Sequence, residues 1–295
     1  MTESTCPHCE DQPGWQPVVE TKGTRRRITR CVCWHAAQAQ ATLARAGIPS
    51  KYRHATFDTF VAYNDSLDHA RRVAQSWAQS YPEIPRRLGD SAGRGLVLSG
   101  PAGVGKTHLA AVLLKHVITH GGCRSGLFYT TKDLLWQIRR SYNPTIQATE
   151  PDVLQPIMTC DVLVLDDLGE ERVTEWVAET MSLIVNTRYN ACRPIICTTN
   201  YADLDDPENW KGLLCRVGFR IQSRLREMCE FIEVDGASYR DLPPNGDEAD
   251  LRRLAGLPRQ PALDHTRPQS RRPPAPAAHD GKAHLPYPGG RAGNT

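Results

Sequence analysis

Short apolar runs alternate with amphipathic stretches through the middle of the chain. Gly95–Ser99, Gly126–Thr130, Asp161–Asp166, Pro194–Thr199 and Glu230–Val234 are strand-length runs bounded by polar or turn-forming residues. Lys106–His120, Lys132–Arg140, Val173–Tyr189 and Leu213–Met228 carry apolar positions at helical spacing. Strands separated by crossover-length helices predict an α/β domain around a parallel sheet. No run approaches the roughly 18 apolar residues of a membrane span, and Met1-Thr-Glu-Ser-Thr-Cys6 offers no apolar signal core. The expected location is therefore cytoplasmic, with no membrane partner.

The pattern lapses at both ends. From Pro243 to Thr295 the chain holds 10 of its 22 prolines and 6 of its 22 glycines, too little apolar surface to offset ordering, so a disordered tail is expected with a short helix near Glu248–Leu254. Charge divides the same way: residues 1–53 carry +4, residues 54–242 carry −4 and residues 243–295 carry +3, for a net +3. An acidic body excludes indiscriminate nucleic-acid binding and leaves the ends free to touch a polyanion.

Gly100-Pro-Ala-Gly-Val-Gly-Lys-Thr107 fits G-x-x-x-x-G-K-[ST] between a predicted strand and a predicted helix. In that pattern Gly100, Pro101, Ala102, Gly103, Val104 and Gly105 form a loop whose backbone N–H groups, Pro101 having none, wrap around a phosphate chain, and the helix start adds partial positive charge. Lys106 reaches the β- and γ-phosphates, and the Thr107 hydroxyl holds Mg²⁺. Asp161-Val-Leu-Val-Leu-Asp-Asp167 is a buried strand ending in two carboxylates. Asp166 is expected beside Mg²⁺ and Asp167 placed to polarise an attacking water. Asn200, ending Ile195-Ile-Cys-Thr-Thr-Asn200, is a side chain suited to orienting that water.

This ordered set resembles the AAA+ ATPases of the DnaC-type helicase loaders and IstB-type transposition helpers. The resemblance spans about Ala46 to Leu242. It runs through Gly47-Ile-Pro-Ser-Lys-Tyr52, Thr56-Phe-Asp-Thr-Phe60, Gly100–Thr107, Leu165-Asp-Asp-Leu-Gly169, Asn186-Thr-Arg-Tyr189, Thr198-Thr-Asn200, Arg220-Ile-Gln-Ser-Arg-Leu-Arg226 and Ser238-Tyr-Arg240. It implies a five-stranded parallel sheet in order 5-1-4-3-2, with ATP at a subunit boundary of an ATP-dependent homo-oligomer. Arg224 would then be an arginine finger reaching a neighbour's γ-phosphate, Arg240 a sensor of its own subunit's nucleotide, and Arg188 a reserve interface residue. Thr56–Phe60 would lie along the adenine. In such proteins an extra helical element grips single-stranded DNA. Here the interval is Thr131–Thr159, with Arg139 and Arg140 beside Trp136 and Tyr142.

Ten cysteines complete the inventory, four of them crowded into the first 33 residues. Cys6-Pro-His-Cys9 and Cys31-Val-Cys33, on either side of a hairpin, suit Zn²⁺ held by four thiolates, with His8 or His35 an alternative to one sulfur. A segment so short needs the metal for its folding energy. Zinc-bearing members of the loader family carry similar pairs. Between the pairs, Lys22–Arg30 is basic and could meet nucleic acid or an acidic partner.

The expected organisation is a zinc module at 1–45, an AAA+ ATPase domain at 46–242 and a tail at 243–295. The expected function is an ATP-hydrolysing, DnaC-like loader in DNA replication that binds ATP, Mg²⁺, single-stranded DNA and a replicative helicase. The alternatives are an IstB-like helper acting with a transposase and, in another class, a nucleotide-gated DNA-binding regulator. A small-molecule kinase on the same phosphate loop has no use for Arg220–Arg226, Ser238–Arg240 or a zinc module.

Overall fold

The computed structural model describes residues 6–9, 15–19, 26–81, 83, 95–143, 149–243 and 247–256. Strands β1 (Trp15–Val19) and β2 (Arg26–Arg30) form an antiparallel hairpin, and α1 (Val32–Arg45) follows at once. Next come α2 (Asp65–Ser80), β3 (Gly95–Ser99), α3 (Lys106–Thr119), β4 (Gly126–Thr130), α4 (Thr131–Ser141) and α5 (Glu150–Thr159). The chain continues through β5 (Val162–Asp166), α6 (Glu175–Asn190), β6 (Ile195–Thr199), α7 (Leu213–Val217), α8 (Phe219–Met228), β7 (Cys229–Glu233) and α9 (Glu248–Ala255).

Five of the strands make one parallel sheet in the order β4-β5-β6-β3-β7. Counted within that sheet this is the expected 5-1-4-3-2. The inner strands β3, β5 and β6 are buried at every residue, whereas the edge strands β4 and β7 are only partly buried. That is what helices on both faces demand of a parallel sheet. Leu96, Leu98, Val162, Val164 and Ile196 face one apolar cluster with α2 and α3. Their neighbours Val97, Leu163, Leu165, Ile195 and Cys197 face the other, with α4, α5, α6 and α8. The two-residue strand period thus divides the core into two layers.

Helix α1 is tied to the edge of this sheet. Thr42 Oγ1 donates to the Arg124 carbonyl at 3.2 Å, and the Phe128 N–H of β4 donates to the Ala46 carbonyl at 2.7 Å. Gly47 makes the turn at φ 73°, where an added Cβ would stand 2.9 Å from the Phe128 carbonyl oxygen.

Three sequence expectations change. The run Leu213–Met228 is two helices, because Gly218 at φ 81° breaks it between α7 and α8. The interval Thr131–Thr159 also holds two. α5 opens on a Thr149–Asp152 capping box that accommodates Pro151 in its first turn, and Pro156 lies inside it. Arg188 is not an interface residue of the expected kind. It is fully buried, and its guanidinium donates to the carbonyls of Ile157 (2.8 Å), Cys160 (2.9 Å) and Pro194 (2.8 Å). A buried cation there satisfies the carbonyls that end α5 and joins them to the entry of β6. The expected short helix after Pro243 is α9, while the rest of the expected tail, from residue 257, lies outside the described residues. Among the described residues no helix is long and apolar enough to cross a membrane.

Candidate functional site

The chain leaves β3 at Ser99 and enters α3 at Lys106, and the loop between them wraps back on itself. Gly100, Gly103 and Gly105 have φ of 143°, 85° and 97°. At Gly103 the close approach is as decisive as the dihedral, because an added Cβ would lie 2.1 Å from Ser238 Oγ. The Tyr239 N–H donates to the Gly103 carbonyl at 3.0 Å, which brings Arg240 to the rim of the loop.

Lys106 is 5% exposed. Its ammonium donates to the carbonyls of Gly100 (2.8 Å) and Pro101 (2.7 Å) and to Asn200 Oδ1 (2.8 Å). Burial pushes it down to about 8, although Asp167 and Asp166 pull the other way. The cation is therefore held by neutral oxygens, at a cost that a nearby phosphate would offset.

The strand-end carboxylates have different settings. Asp166 is 4% exposed, accepts from Thr198 Oγ1 at 2.6 Å and is hydrogen-bonded by Thr107. Burial raises its pKa, opposed by the Thr198 bond. Asp167 turns outward into the cavity at φ 56°, and its N–H donates to the same Thr198 oxygen at 2.9 Å. A non-glycine residue in the left-handed region is strained, and strain of this kind collects at functional positions. Thr107 and Asp166 together present hard oxygen donors of the sort Mg²⁺ takes. Asn200 bridges two groups: its Oδ1 accepts from Lys106, and its Nδ2 donates to Glu170 Oε1 at 2.7 Å.

These groups share an open cavity of about 950 Å³. Ala102, Gly103, Gly105, Lys106, Thr107, Asp167, Asn200 and Arg240 stand on its wall. Gly100, Pro101, Val104 and Asp166 are not among the lining residues, and Val104 and Asp166 are buried. Phe60 reaches the cavity with Thr59 and Val61, whereas Phe57 is buried against His116. Thr198 stands within the Thr198–Asn200 motif, which gives it no role of its own, and the sequence reading does not single out Glu170. The signal for Glu170 is its closeness to Asp167 in the same strand-end loop.

Two expected groups lie elsewhere. Arg224, on α8, is outside the cavity wall. It pairs with Glu227 at 3.1 Å and stacks 4.3 Å from the Tyr189 ring centre. Arg139 and Arg140 end α4, with their guanidinium carbons 4.7 Å from the ring centres of Trp176 and Trp136 respectively.

At the other end of the chain, the sulfurs of Cys6, Cys9, Cys31 and Cys33 all lie within 4.8 Å of one another, with Cys6–Cys31 at 3.8 Å and Cys9–Cys33 at 3.5 Å. Tetrahedral zinc with Zn–S bonds of about 2.3 Å needs sulfurs about 3.8 Å apart. Four sulfurs fit that requirement without either histidine.

Strand order, phosphate loop and strand-end carboxylates define an AAA+ ATPase with its site at the sheet's switch point. Residues 90–243 match the family described as IstB-like ATP binding protein, and the chain belongs to this DnaC/IstB-like family of ATPases. Over 191 residues it is 26% identical to the replicative helicase loader DnaC of Buchnera aphidicola from Acyrthosiphon pisum, covering 65% of this chain and 71% of that protein. A crystal structure of the DnaC helicase loader is 31% identical with a TM-score of 0.54, over 63% of this chain and all of that one. A putative ATP-binding protein in an insertion sequence of Mycobacterium tuberculosis is 32% identical over 156 residues, half of this chain and 57% of that protein.

The Lys106 environment predicts the pH response of nucleotide affinity. Phosphate binds the protonated amine, so binding above pH 8 takes up a proton, and ATP affinity should fall by about tenfold per unit there. Calorimetric titration at pH 7 to 9.5 should show this in the wild type, and Lys106→Ala should bind at least about tenfold more weakly at pH 7. Constant wild-type affinity across that range would contradict the assignment.

Proposed function

We propose that this ATPase is a DnaC-like loader that acts in the cytoplasm during DNA replication. It would assemble as an ATP-dependent homo-oligomer on a replicative helicase and single-stranded DNA. The observation that carries the DNA contact is the outer face of α4. Leu134, Leu135 and Ile138 bury one side of this helix, leaving Trp136 57% exposed beneath Arg140. Next to it Arg139 lies over Trp176, whose ring meets Tyr142 edge-on at 6.3 Å. Exposed rings paired with guanidinium groups can stack on bases while the charge follows the phosphates. The relatives named as helicase loaders support the helicase as partner.

In this proposal Gly100–Thr107 cradle the triphosphate, and Lys106 exchanges its carbonyl partners for β- and γ-phosphate oxygens. Thr107 and Asp166 would hold Mg²⁺, which when bound neutralises charge on the phosphates. Asp167 polarises the attacking water, and Asn200 orients it. Arg240 senses the nucleotide of its own subunit, whereas Arg224 serves a neighbour's site. Cys6, Cys9, Cys31 and Cys33 hold a structural zinc in a module at 1–45, ahead of the ATPase domain at 46–242 and a tail at 243–295. A second reading, a helper that delivers a transposase, draws on the family description and the insertion-sequence relative. Pull-down with each candidate partner in the presence of ATP separates the two.

Charge reversal of Arg139 and Arg140 should weaken single-stranded DNA binding with ATP and flatten its dependence on salt, because fewer counterions are released. Unchanged binding, measured by fluorescence anisotropy at several salt concentrations, would move the contact away from α4.

Elemental analysis of the purified chain should find one zinc, and Cys31→Ser with Cys33→Ser should remove it. A metal-free wild type that keeps its β1–β2 hairpin protected from proteolysis would rule out the structural zinc.

A further inference from the structure

The family match ends at residue 243, yet the next helix still belongs to the site. Leu251 of α9 is 2% exposed and joins the same apolar cluster as Phe60, Tyr63 and Leu67. Glu248 and Leu251 stand on the cavity wall with Tyr52, Phe60, Tyr239 and Leu242. The aromatic end of the cavity is continuous with the loop, since a Cβ on Gly105 would lie 2.9 Å from the Phe60 ring and 3.4 Å from the Tyr239 ring. A nucleotide with its phosphates at Lys106 would therefore direct its base towards α9.

The two acidic groups at the start of α9 are committed differently. Asp247 caps the helix by accepting the Asp250 N–H at 3.0 Å, and Asp250 returns a bond from the Asp247 N–H at 3.1 Å. Glu248 accepts from Arg252 Nε at 3.1 Å and Nη2 at 2.6 Å, both through Oε1. Its Oε2 makes no hydrogen bond among the described residues. Arg252 thus fixes the carboxylate through one oxygen and leaves the other available. A carboxylate oxygen accepts hydrogen bonds and donates none, so it favours an amino group and disfavours a carbonyl.

We propose that α9 is the base-recognition wall of the ATP site, with Leu251 covering the purine ring and Glu248 Oε2 accepting from the 6-amino group of adenine. Guanine presents a carbonyl oxygen at that position and would face the carboxylate with like charge. An acceptor held in place that meets the right group in one base and the wrong group in another discriminates better than an apolar pocket alone. This assignment rests on the nucleotide site proposed above and adds to it the choice of base.

The test uses the full chain and three probes: ATP, GTP and inorganic tripolyphosphate. The wild type should prefer ATP to GTP by about tenfold or more. Glu248→Ala should cut that ratio by at least about fivefold, through loss of ATP affinity, and leave tripolyphosphate binding unchanged. Arg252→Ala, which keeps the acceptor, should retain more of the preference than Glu248→Ala. Leu251→Ala should weaken both nucleotides and spare tripolyphosphate. If that variant fails to fold, Glu248→Ala alone decides, since it removes a side chain 49% exposed. An equal preference in wild type and Glu248→Ala, or no preference in the wild type, would overturn the role of α9. Lys106→Ala tells the two assignments apart: it should weaken ATP and tripolyphosphate alike, and if it binds both as the wild type does, the nucleotide site itself is wrong.

Discussion

One buried ammonium sets the terms for the rest of this site. Lys106 lies at the start of α3, just beyond the C-terminal end of β3, where neighbouring strands lead their connections to opposite sides of the sheet. A cation buried there must be paired, and two loop carbonyls together with Asn200 hold it. The positive-φ glycines follow from this need, because the loop must turn its carbonyls towards Lys106 while leaving N–H groups for an anion. The buried Asp166 and outward Asp167 follow too. Both are set by the single Thr198 hydroxyl, which donates to one and accepts from the other's backbone. Each of these contacts joins strand ends, so the sheet's order is what makes the site.

Local chemistry was the readable part of the chain. Gly100–Thr107 could be found because every residue type in it serves a phosphate within eight positions. Asp166 could be found because a run of five buried strand residues ends there. The four cysteines could be found because two close pairs of thiols have the spacing of a metal site. Helix α2 was legible in principle: Asn64 caps it, and Leu67, Ala70, Ala74 and Trp77 recur at helical spacing. Its many charged and polar residues concealed the pattern. The remaining surprises are long-range. Arg188 meets carbonyls about 30 positions back in the chain, Thr198 meets Asp166 across the sheet, and Leu251 returns to a core built far upstream. No periodicity encodes such partners, and a buried arginine has the same local sequence signature as an exposed one.

The zinc-type cluster and the ATPase domain are likewise joined by particular contacts. Cys31 precedes α1 directly, and α1 is bonded to the turn before β4 and to β4 itself. The same strand runs into α4, whose outer face carries Trp136, Arg139 and Arg140. The N-terminal segment and the proposed DNA contact are thus both joined to β4, and Thr130, at the end of that strand, also stands on the nucleotide cavity.

In the proposed shared site a single chain holds most of the ATP site and a neighbour's Arg224 supplies the last cation. Arg224 stands outside its own cavity, paired with Glu227 and stacked on Tyr189. Mixing Asp167→Asn with Arg224→Ala tests this directly. Each variant should bind ATP and hydrolyse it slowly, since a trans arginine contributes about 10³–10⁵ in turnover in related phosphoryl transfers. A mixed assembly contains boundaries with a sound Asp167 facing a sound Arg224, so its ATPase rate should exceed that of either variant alone. A mixture shown to co-assemble but no faster than its parts would contradict the shared site.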